Sequence, residues 1–154
     1  MATGGPGRLE SQDRRSESNS RPEVVFVCEH GAALSVVSAA YFNKIAREEH
    51  LRLHAIARGT SPQEEIAVSA RHGLDQDGVT FAPRRPKAFS IEDAARAKRV
   101  IAFCPLLSKY SRLAPIENWS DVPPTAANYQ LARDAILRHL HDLIRELKTA
   151  DRKR

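Results

Sequence analysis

The sequence lacks the features that several protein classes require. Its 154 residues contain only two cysteines, which excludes a scaffold built on disulfides. No apolar run approaches the roughly 20 residues of a membrane-spanning helix, and residues 1–20 contain no apolar stretch typical of a secretory signal. We therefore expect a soluble protein of the reducing cytoplasm without a membrane partner, and the 42% of hydrophobic residues suffices for one core.

The net charge of +5 lies mostly at the two ends of the chain. Residues 1–22 and 145–154 carry most of it, so the part between them is about neutral. A nucleic-acid-binding domain more often has a basic stripe with interleaved aromatic side chains. The sequence shows no such stripe, and we expect no nucleic-acid partner.

Composition divides the chain into three parts. Residues 1–22 are rich in Gly, Ser, Arg and Glu without hydrophobic periodicity, and they are predicted to form a disordered arm. Residues 23–148 are predicted to form one domain, and residues 149–154 a basic C-terminal tail. No internal repeat or second domain is visible.

Strand-like and helix-like segments alternate within the predicted domain, which indicates an α/β fold with a parallel sheet. Ser61 has the pattern of a helix start and Gly73 that of a helix end. Ser90 and Asp93 predict a capping box. The predicted strands are 24–27, 53–57, 99–104 and a short one at 117–120, and the predicted helices are 35–49, 61–73, a short one from 90, and 127–148.

The first strand ends in a thiol. Cys28 precedes a short loop of small residues and the start of a helix near Ser35. Ligands of open α/β sheets bind at the carboxyl ends of the strands, and loop amides together with a helix dipole favour an anion there. The same field favours a reactive thiolate, to which Ser35 could donate a hydrogen bond. The alternative is that Cys28 is a small core residue, because free cysteines are often buried.

Residues Cys28 to Ser35 resemble the phosphate loop of the low-molecular-weight protein tyrosine phosphatases and the related thioredoxin-coupled arsenate reductases. That loop reads Cys, five residues, Arg, then Ser or Thr. Three more segments resemble the family in the same order along the chain, and the resemblance covers about residues 23–148. These segments are Gly59-Thr60 with Pro62, Arg84-Arg85-Pro86-Lys87, and Trp119 to Pro124.

The resemblance implies a fold and a ligand. The fold is a single three-layer α/β domain with a four-stranded parallel sheet in the order 2-1-3-4, flanked by helices. The ligand is phosphate, arsenate or a phosphorylated substrate, and Cys28 is the nucleophile. The residues implied to hold the oxyanion are His30, Gly31, Ala32, Ala33, Leu34 and Ser35.

Two departures from the family pattern bear on activity. Leu34 stands where the family has the arginine that grips the phosphate oxygens, and Pro123 stands where it has a catalytic aspartate. An arginine of that kind contributes about 10³–10⁵ in rate to phosphoryl transfer, and a general acid about 10²–10⁴. Glu29 adds a negative charge that opposes an incoming dianion. The sequence therefore predicts weak phosphatase activity at most.

Three residues are candidates to compensate. Arg58 ends the second strand and could reach over the loop as a relocated anion clamp, or it could face solvent with no ligand. Asp121 could replace the missing acid, or it could be a turn or cap aspartate. His30 could donate a proton, or it could only brace the loop.

Cys104 offers a second chemistry. It closes the third strand, which the resemblance places beside the first. In the arsenate reductases a cysteine at the matching strand end attacks the first cysteine, and a third cysteine completes the relay. This chain has no third cysteine, so the resemblance implies a Cys28–Cys104 disulfide or resolution by thioredoxin or a small thiol. The alternative is a buried structural Cys104.

Three function classes therefore compete. The first is a divergent phosphatase-like enzyme with Cys28 as nucleophile. The second is a thiol-dependent, arsenate reductase-like protein that uses Cys28 with Cys104. The third is a catalytically inactive oxyanion-binding module. The histidines show no metal-ligand spacing, so we expect neither a metal nor another cofactor.

Overall fold

A computed structural model describes residues 24–152, so the predicted arm at residues 1–22 and the last two residues of the predicted tail lie outside the described part. The last helix continues into the predicted tail as far as Arg152. No helix in the described part is long and apolar enough to cross a membrane. The elements are β1 (Val24–Cys28), α1 (Leu34–Glu48), β2 (Ala55–Gly59), α2 (Val68–Asp77), α3 (Ile91–Arg96), β3 (Arg99–Ala102), α4 (Ser108–Ser111), β4 (Ile116–Asn118) and α5 (Tyr129–Arg152).

The four strands form one sheet in the order β2-β1-β3-β4, and every neighbouring pair is parallel. The predicted architecture and strand order are confirmed. Cys28 lies opposite Gly59 on β2, and Val27 lies opposite Ala102 on β3. Because parallel strands end at one edge, the residues that follow β1, β2 and β3 are gathered there.

The central strand β1 supplies a core to each face of the sheet. Val24 and Phe26 belong to the larger core, which α1, α2 and α5 cover. Val25 and Val27 belong to a smaller core on the other face, together with Ala94 of α3. This burial on both faces explains the uninterrupted apolar run in the sequence. Each such side chain contributes about 1.5–3 kcal/mol by leaving water, so β1 is a firm base for the loop that follows it.

The second helix begins later than the sequence predicts. It starts at Val68 rather than Ser61, because residues 60–67 are paired with the loop after β1 instead of forming helical bonds. It ends at Asp77, and Gly78 in the left-handed conformation (φ 71°) terminates it. Gly73 was wrongly predicted as the helix end: it lies inside α2, where a Cβ would come within 2.3 Å of the Tyr129 ring.

Other boundaries move by a few residues. The second strand is Ala55–Gly59 rather than 53–57, because that register pairs it with the whole of β1. The third strand ends at Ala102, so Cys104 lies beyond it. The predicted capping box is confirmed, since Ser90 Oγ accepts from Asp93 N at 3.1 Å and Asp93 Oδ2 accepts from Ser90 N at 3.0 Å. The four-residue helix α4 was not predicted.

A single carboxylate ties three helices together. Asp77 of α2 accepts hydrogen bonds from Tyr41 of α1 at 2.5 Å, from Tyr129 of α5 at 2.9 Å, and from Arg133 of α5 at 3.2 and 3.3 Å. Burial raises the pKa of Asp77, but these donors outweigh it and hold the pKa below its ordinary value. Burial and the bond to Asp77 raise the pKa of Tyr41 to about 12.

Candidate active site

Residues 28–35, from the end of β1 to the first turn of α1, form the Cys28 loop. Its carbonyl groups point outward to the segment 60–67, which follows β2 and runs alongside it. This pairing fixes the loop to the neighbouring strand and accounts for the late start of α2. The bonds are Thr60 N to Cys28 O (3.1 Å), Ser61 N to Glu29 O (2.7 Å), Gln63 N to His30 O (3.1 Å) and Ala67 N to Ala32 O (2.9 Å).

The amide groups that follow Cys28 in this loop have no acceptor in the described part of the chain. Within residues 24–152, none of the backbone N–H groups from Glu29 to Val36 donates a hydrogen bond to a protein acceptor. The N-cap residue of α1 is Ala33, whose side chain makes no capping bond, and the first turn of α1 contains no acidic residue. Such a run of free amides at a helix N-terminus is the arrangement that binds anions in proteins.

A close contact between two glycines shapes the loop. Gly31 has φ +60°, a left-handed conformation that glycine adopts without strain. A Cβ on Gly31 would lie 2.8 Å from Gly59 N, and a Cβ on Gly59 would lie 2.5 Å from Gly31 N. Both positions therefore require glycine for the loop to pack against the end of β2.

Cys28 lies at the base of the loop and is almost entirely buried, with 8% of its surface exposed. Its thiol donates a hydrogen bond to Ser35 Oγ at 3.1 Å, and Ser35 is fully buried in the first turn of α1. Once the thiol is deprotonated, the same hydroxyl can reverse the bond and donate to the sulfur. The predicted pairing of these two residues is present in the structure.

Cys104 lies near Cys28 at the same edge of the sheet. Phe103, the residue before it, donates its amide to Val27 O at 2.8 Å. Burial raises the pKa of the Cys104 thiol, a hydrogen bond from Thr60 opposes this rise, and electrostatic interaction with Cys28 and Glu29 adds to it. Both cysteines are free thiols. The structure therefore brings together the two thiols that the sequence singled out.

Comparison with solved structures places this arrangement in a known fold. YfkJ from Bacillus subtilis superposes with a TM-score of 0.73 at 18% identity, over 85% of this chain and 97% of that one. The low molecular weight protein tyrosine phosphatase of Streptococcus pyogenes gives 0.67 at 14% identity, over 82% and 93%. A thioredoxin-dependent arsenate reductase of Corynebacterium glutamicum gives 0.62 at 16% identity, over 94% and 71%.

This chain has the low-molecular-weight protein tyrosine phosphatase fold. The likeness inferred from the Cys28 loop and the three later segments is thus confirmed for the fold. No family model matches the sequence, and no curated protein matches it by sequence. The order and parallel pairing of the strands, rather than sequence identity, carry the relationship.

Position 34, at which the resemblance led us to expect an arginine, carries an apolar side chain. Leu34 is partly buried and packs against the larger core. The two residues after Cys28 face solvent instead: Glu29 and His30 side chains are 66% and 50% exposed, and His30 Nε2 lies 3.8 Å from Glu29 Oε1. The Cys28 loop therefore contains no lysine or arginine and one carboxylate.

Arg58 does not occupy the position of a clamp over the loop. Its Nε donates to Asp93 Oδ2 at 3.1 Å, and one terminal nitrogen donates to Ala57 O at 2.9 Å. Arg58 lies opposite Val27, which belongs to the core on the α3 side of the sheet. The guanidinium is thus engaged with α3, because the capping-box carboxylate of Asp93 lies within its reach.

Asp121 is likewise engaged elsewhere. Both of its carboxylate oxygens lie 2.9 Å from His139 Nε2 on α5, and the His139 ring stacks on Trp119 with centroids 4.5 Å apart. The bond to His139 is the main cause that lowers the pKa of Asp121. The Asp121 carboxylate therefore bonds to α5 in this structure, and its role as a general acid stays a prediction.

The segment 84–87 connects to the loop through its backbone. Lys87 O accepts the amide of Gly59 at 2.9 Å, next to the glycine contact. Arg84 instead lines a cavity of about 500 Å³ beside α2, together with Arg71 and Asp75. Sequence reasoning missed the role of segment 60–67. The Gly59-Thr60 pair was the available signal, since a glycine after a strand permits a close backbone approach.

Proposed function

We propose that the Cys28 loop binds phosphate or a similar oxyanion, and that Cys28 slowly attacks the phosphorus of a bound phosphomonoester. The observation that carries this proposal is the run of free amides from Glu29 to Val36 around a buried thiol. Amides held in this way need no rearrangement to receive an anion, because the pairing with segment 60–67 already fixes them.

The proposed reaction has two steps. Cys28 loses its proton to water, its sulfur forms a bond to phosphorus, and the bond between phosphorus and the leaving oxygen breaks. Water then attacks the phosphocysteine, which releases inorganic phosphate and restores the thiol. Ser35 stabilises the thiolate that leaves in this second step. The amides stabilise the charge on the equatorial oxygens in both steps.

The rate is expected to be low. Leu34 brings no charge to the phosphoryl oxygens, and Pro123 brings no proton to the leaving oxygen. Arg58 bonds to Asp93 and Asp121 to His139, which supports a reaction without a clamp or an acid from these two residues. Activity is therefore easiest to detect on substrates whose leaving group departs without a proton. A thiol nucleophile suits the reducing cytoplasm.

A single-turnover reaction tests the proposal. Protein in excess over p-nitrophenyl phosphate is expected to release nitrophenolate in a burst, with one phosphoryl group added to the protein in its intact mass. Cys28→Ser abolishes the burst, and Cys104→Ser, the matched change at the other thiol, preserves it. Oxyanion binding that survives Cys28→Ser, with no burst from the native protein, would instead identify an inactive binding module. If the protein shows no oxyanion binding and no burst, the proposal is refuted.

A second function is favoured by the position of Cys104 near Cys28. Cys28 would displace water from arsenate to form a sulfur–arsenic bond. Cys104 would then attack the Cys28 sulfur, forming a disulfide while the electron pair of the sulfur–arsenic bond reduces As(V) to As(III). Thioredoxin or a small thiol would reduce the disulfide. Arsenate with added thiol separates the two functions, because Cys104→Ser abolishes this reduction and spares hydrolysis.

A further inference from the structure

The charges around the Cys28 loop are unusual for a site that receives phosphate. The loop contains the Glu29 carboxylate and no lysine or arginine. Leu34 packs against the core, and Arg58 on the neighbouring strand is engaged with Asp93. The adjoining segment 60–67 adds the exposed residues Glu64 and Glu65. Segment 84–87, whose Lys87 O accepts from Gly59 N, adds exposed basic residues next to the end of β2. Within the Cys28 loop itself, the attraction for an anion therefore comes from backbone dipoles, beside the Glu29 carboxylate.

Backbone dipoles supply only a partial positive charge. A helix N-terminus is equivalent to about half an elementary charge, so a doubly charged anion leaves more charge uncompensated away from water than a singly charged one does. Each additional negative charge on the ligand is also repelled by Glu29, since like charges at short range raise the energy of the bound state. A loop arginine would reverse this balance, but this chain has none.

We propose that the Cys28 loop selects oxyanions in their singly charged form, and that its substrates are phosphomonoester monoanions. This inference rests on the proposed function and specifies its substrate class. It links the two departures from the phosphatase pattern, at Leu34 and Pro123, to one property of the substrate.

The chemistry of the monoanion compensates for the missing acid. A phosphomonoester monoanion carries one proton on a phosphoryl oxygen. As the Cys28 sulfur bonds to phosphorus and the bond to the leaving oxygen breaks, that proton passes to the leaving oxygen. The alcohol then departs neutral without help from a side chain at position 123. The proton lost by the Cys28 thiol goes to water, so every atom and charge is accounted for.

Charge selection is measured with two ligands of nearly the same shape. Phenyl sulfate is singly charged throughout the range, whereas a phosphomonoester such as phenyl phosphate gains its second charge near pH 6. Calorimetric titration of full-length Cys28→Ser, which removes turnover, is carried out at pH 5 and pH 8. At pH 8 phenyl sulfate is expected to bind at least about tenfold more tightly than phenyl phosphate, and at pH 5 the two affinities converge.

Two variants identify the cause. Glu29→Gln in the same Cys28→Ser background is expected to reduce the difference in affinity between phenyl sulfate and phenyl phosphate at pH 8. Glu48→Gln, at the far end of α1 in an ion pair with Lys44, is expected to leave that difference unchanged. The other charged or titratable groups near the loop are His30, Cys104, Glu64, Glu65 and the basic residues of segment 84–87, and each acts more strongly on a doubly charged ligand than on a singly charged one. At one fixed pH these groups are the same in both variants, so the change in the affinity ratio caused by Glu29→Gln reports the Glu29 carboxylate.

The outcomes distinguish this inference from the proposed function. Tighter binding of phenyl phosphate than of phenyl sulfate at pH 8 overturns the charge selection and leaves oxyanion binding intact. Equal affinities at pH 8 overturn it as well. If neither phenyl sulfate nor phenyl phosphate binds at pH 5 or pH 8, the proposed function is overturned, and the inference with it.

Discussion

Gly31 and Gly59 touch through their backbones, and a Cβ on either would come within 3 Å of the other residue's main chain. This contact joins the Cys28 loop to the end of β2. It places the first hydrogen bond of segment 60–67, from Thr60 N to Cys28 O, next to the thiol. The shape of the anion site therefore depends on two residues that have no side chain.

Gly59→Ala tests this contact. The added methyl group must displace the backbone of the Cys28 loop, so we expect the free energy of unfolding to fall by about 1–3 kcal/mol. Phosphate affinity falls too, because the amides from Glu29 to Val36 lose their alignment. Urea denaturation and calorimetric titration measure the two effects.

Gly78→Ala serves as the control for Gly59→Ala. Gly78 has φ +71° but no atom within 4 Å of an added Cβ, so this change introduces backbone strain without a steric contact. Stability is expected to fall by about 1–2 kcal/mol, with phosphate affinity unchanged. Unchanged affinity in Gly59→Ala would show that the glycine contact does not shape the anion site.

The sequence was sufficient to predict the sheet. The uninterrupted apolar run of β1 and the alternation of strands and helices predict a parallel α/β fold without any knowledge of contacts. It was not sufficient to place α2, because Ser61, Pro62 and Glu64 satisfy the local rules of a helix start. The amides of Thr60, Ser61, Gln63 and Ala67 instead bond to loop carbonyls about 30 residues earlier in the chain, and local patterns do not contain that pairing.

The candidate site was predictable only where its residues lie in local sequence patterns. Cys28, Ser35 and Cys104 follow from strand ends and a helix start, which are local features. The directions of Arg58 and Asp121 depend on Asp93 and His139, which are distant in sequence. The residue types alone made Arg58 and Asp121 candidates, and their hydrogen bonds to distant partners could not be predicted from local sequence.

Arg58→Ala is expected to leave phosphate affinity unchanged, because the guanidinium bonds to Asp93 rather than to the loop. The free energy of unfolding falls by about 1–3 kcal/mol, as is typical for hydrogen bonds to charged groups. A double-mutant cycle with Asp93→Asn is expected to show coupling between the two residues. A clear loss of phosphate affinity in Arg58→Ala, with the fold intact, would restore its role as an anion clamp.

Asp77→Asn is expected to reduce stability in a pH-dependent manner. Because the folded-state pKa of Asp77 is lowered, its contribution is complete above the unfolded value of about 3.9 and is lost as pH falls through the folded value. We expect a difference of about 1–3 kcal/mol at pH 7 that shrinks below pH 4. Asp75→Asn, on the same helix, is the control. A difference that stays constant down to pH 2 would contradict this account.

Cys104 is expected to react as a thiol of raised pKa. In Cys28→Ser, the rate of Cys104 alkylation by iodoacetamide should rise with pH, with a midpoint above that of free cysteine. Burial is the largest cause of the raised pKa, and it persists in this variant. Thr60→Val removes a hydrogen bond that opposes the rise and moves the midpoint further up. Mass spectrometry across a pH series gives the midpoints. A midpoint at or below that of free cysteine would show that burial does not control this thiol.

The central claim is that the amides of the Cys28 loop receive an oxyanion, and a phosphate titration of the ¹⁵N-labelled full-length protein followed by NMR tests it most directly. The amide signals from Glu29 to Val36 are expected to shift together with one dissociation constant, while those of Arg71 and Arg84 beside the cavity at α2 stay in place. Shifts confined to that cavity, or no shifts in the Cys28 loop at saturating phosphate, would contradict the claim.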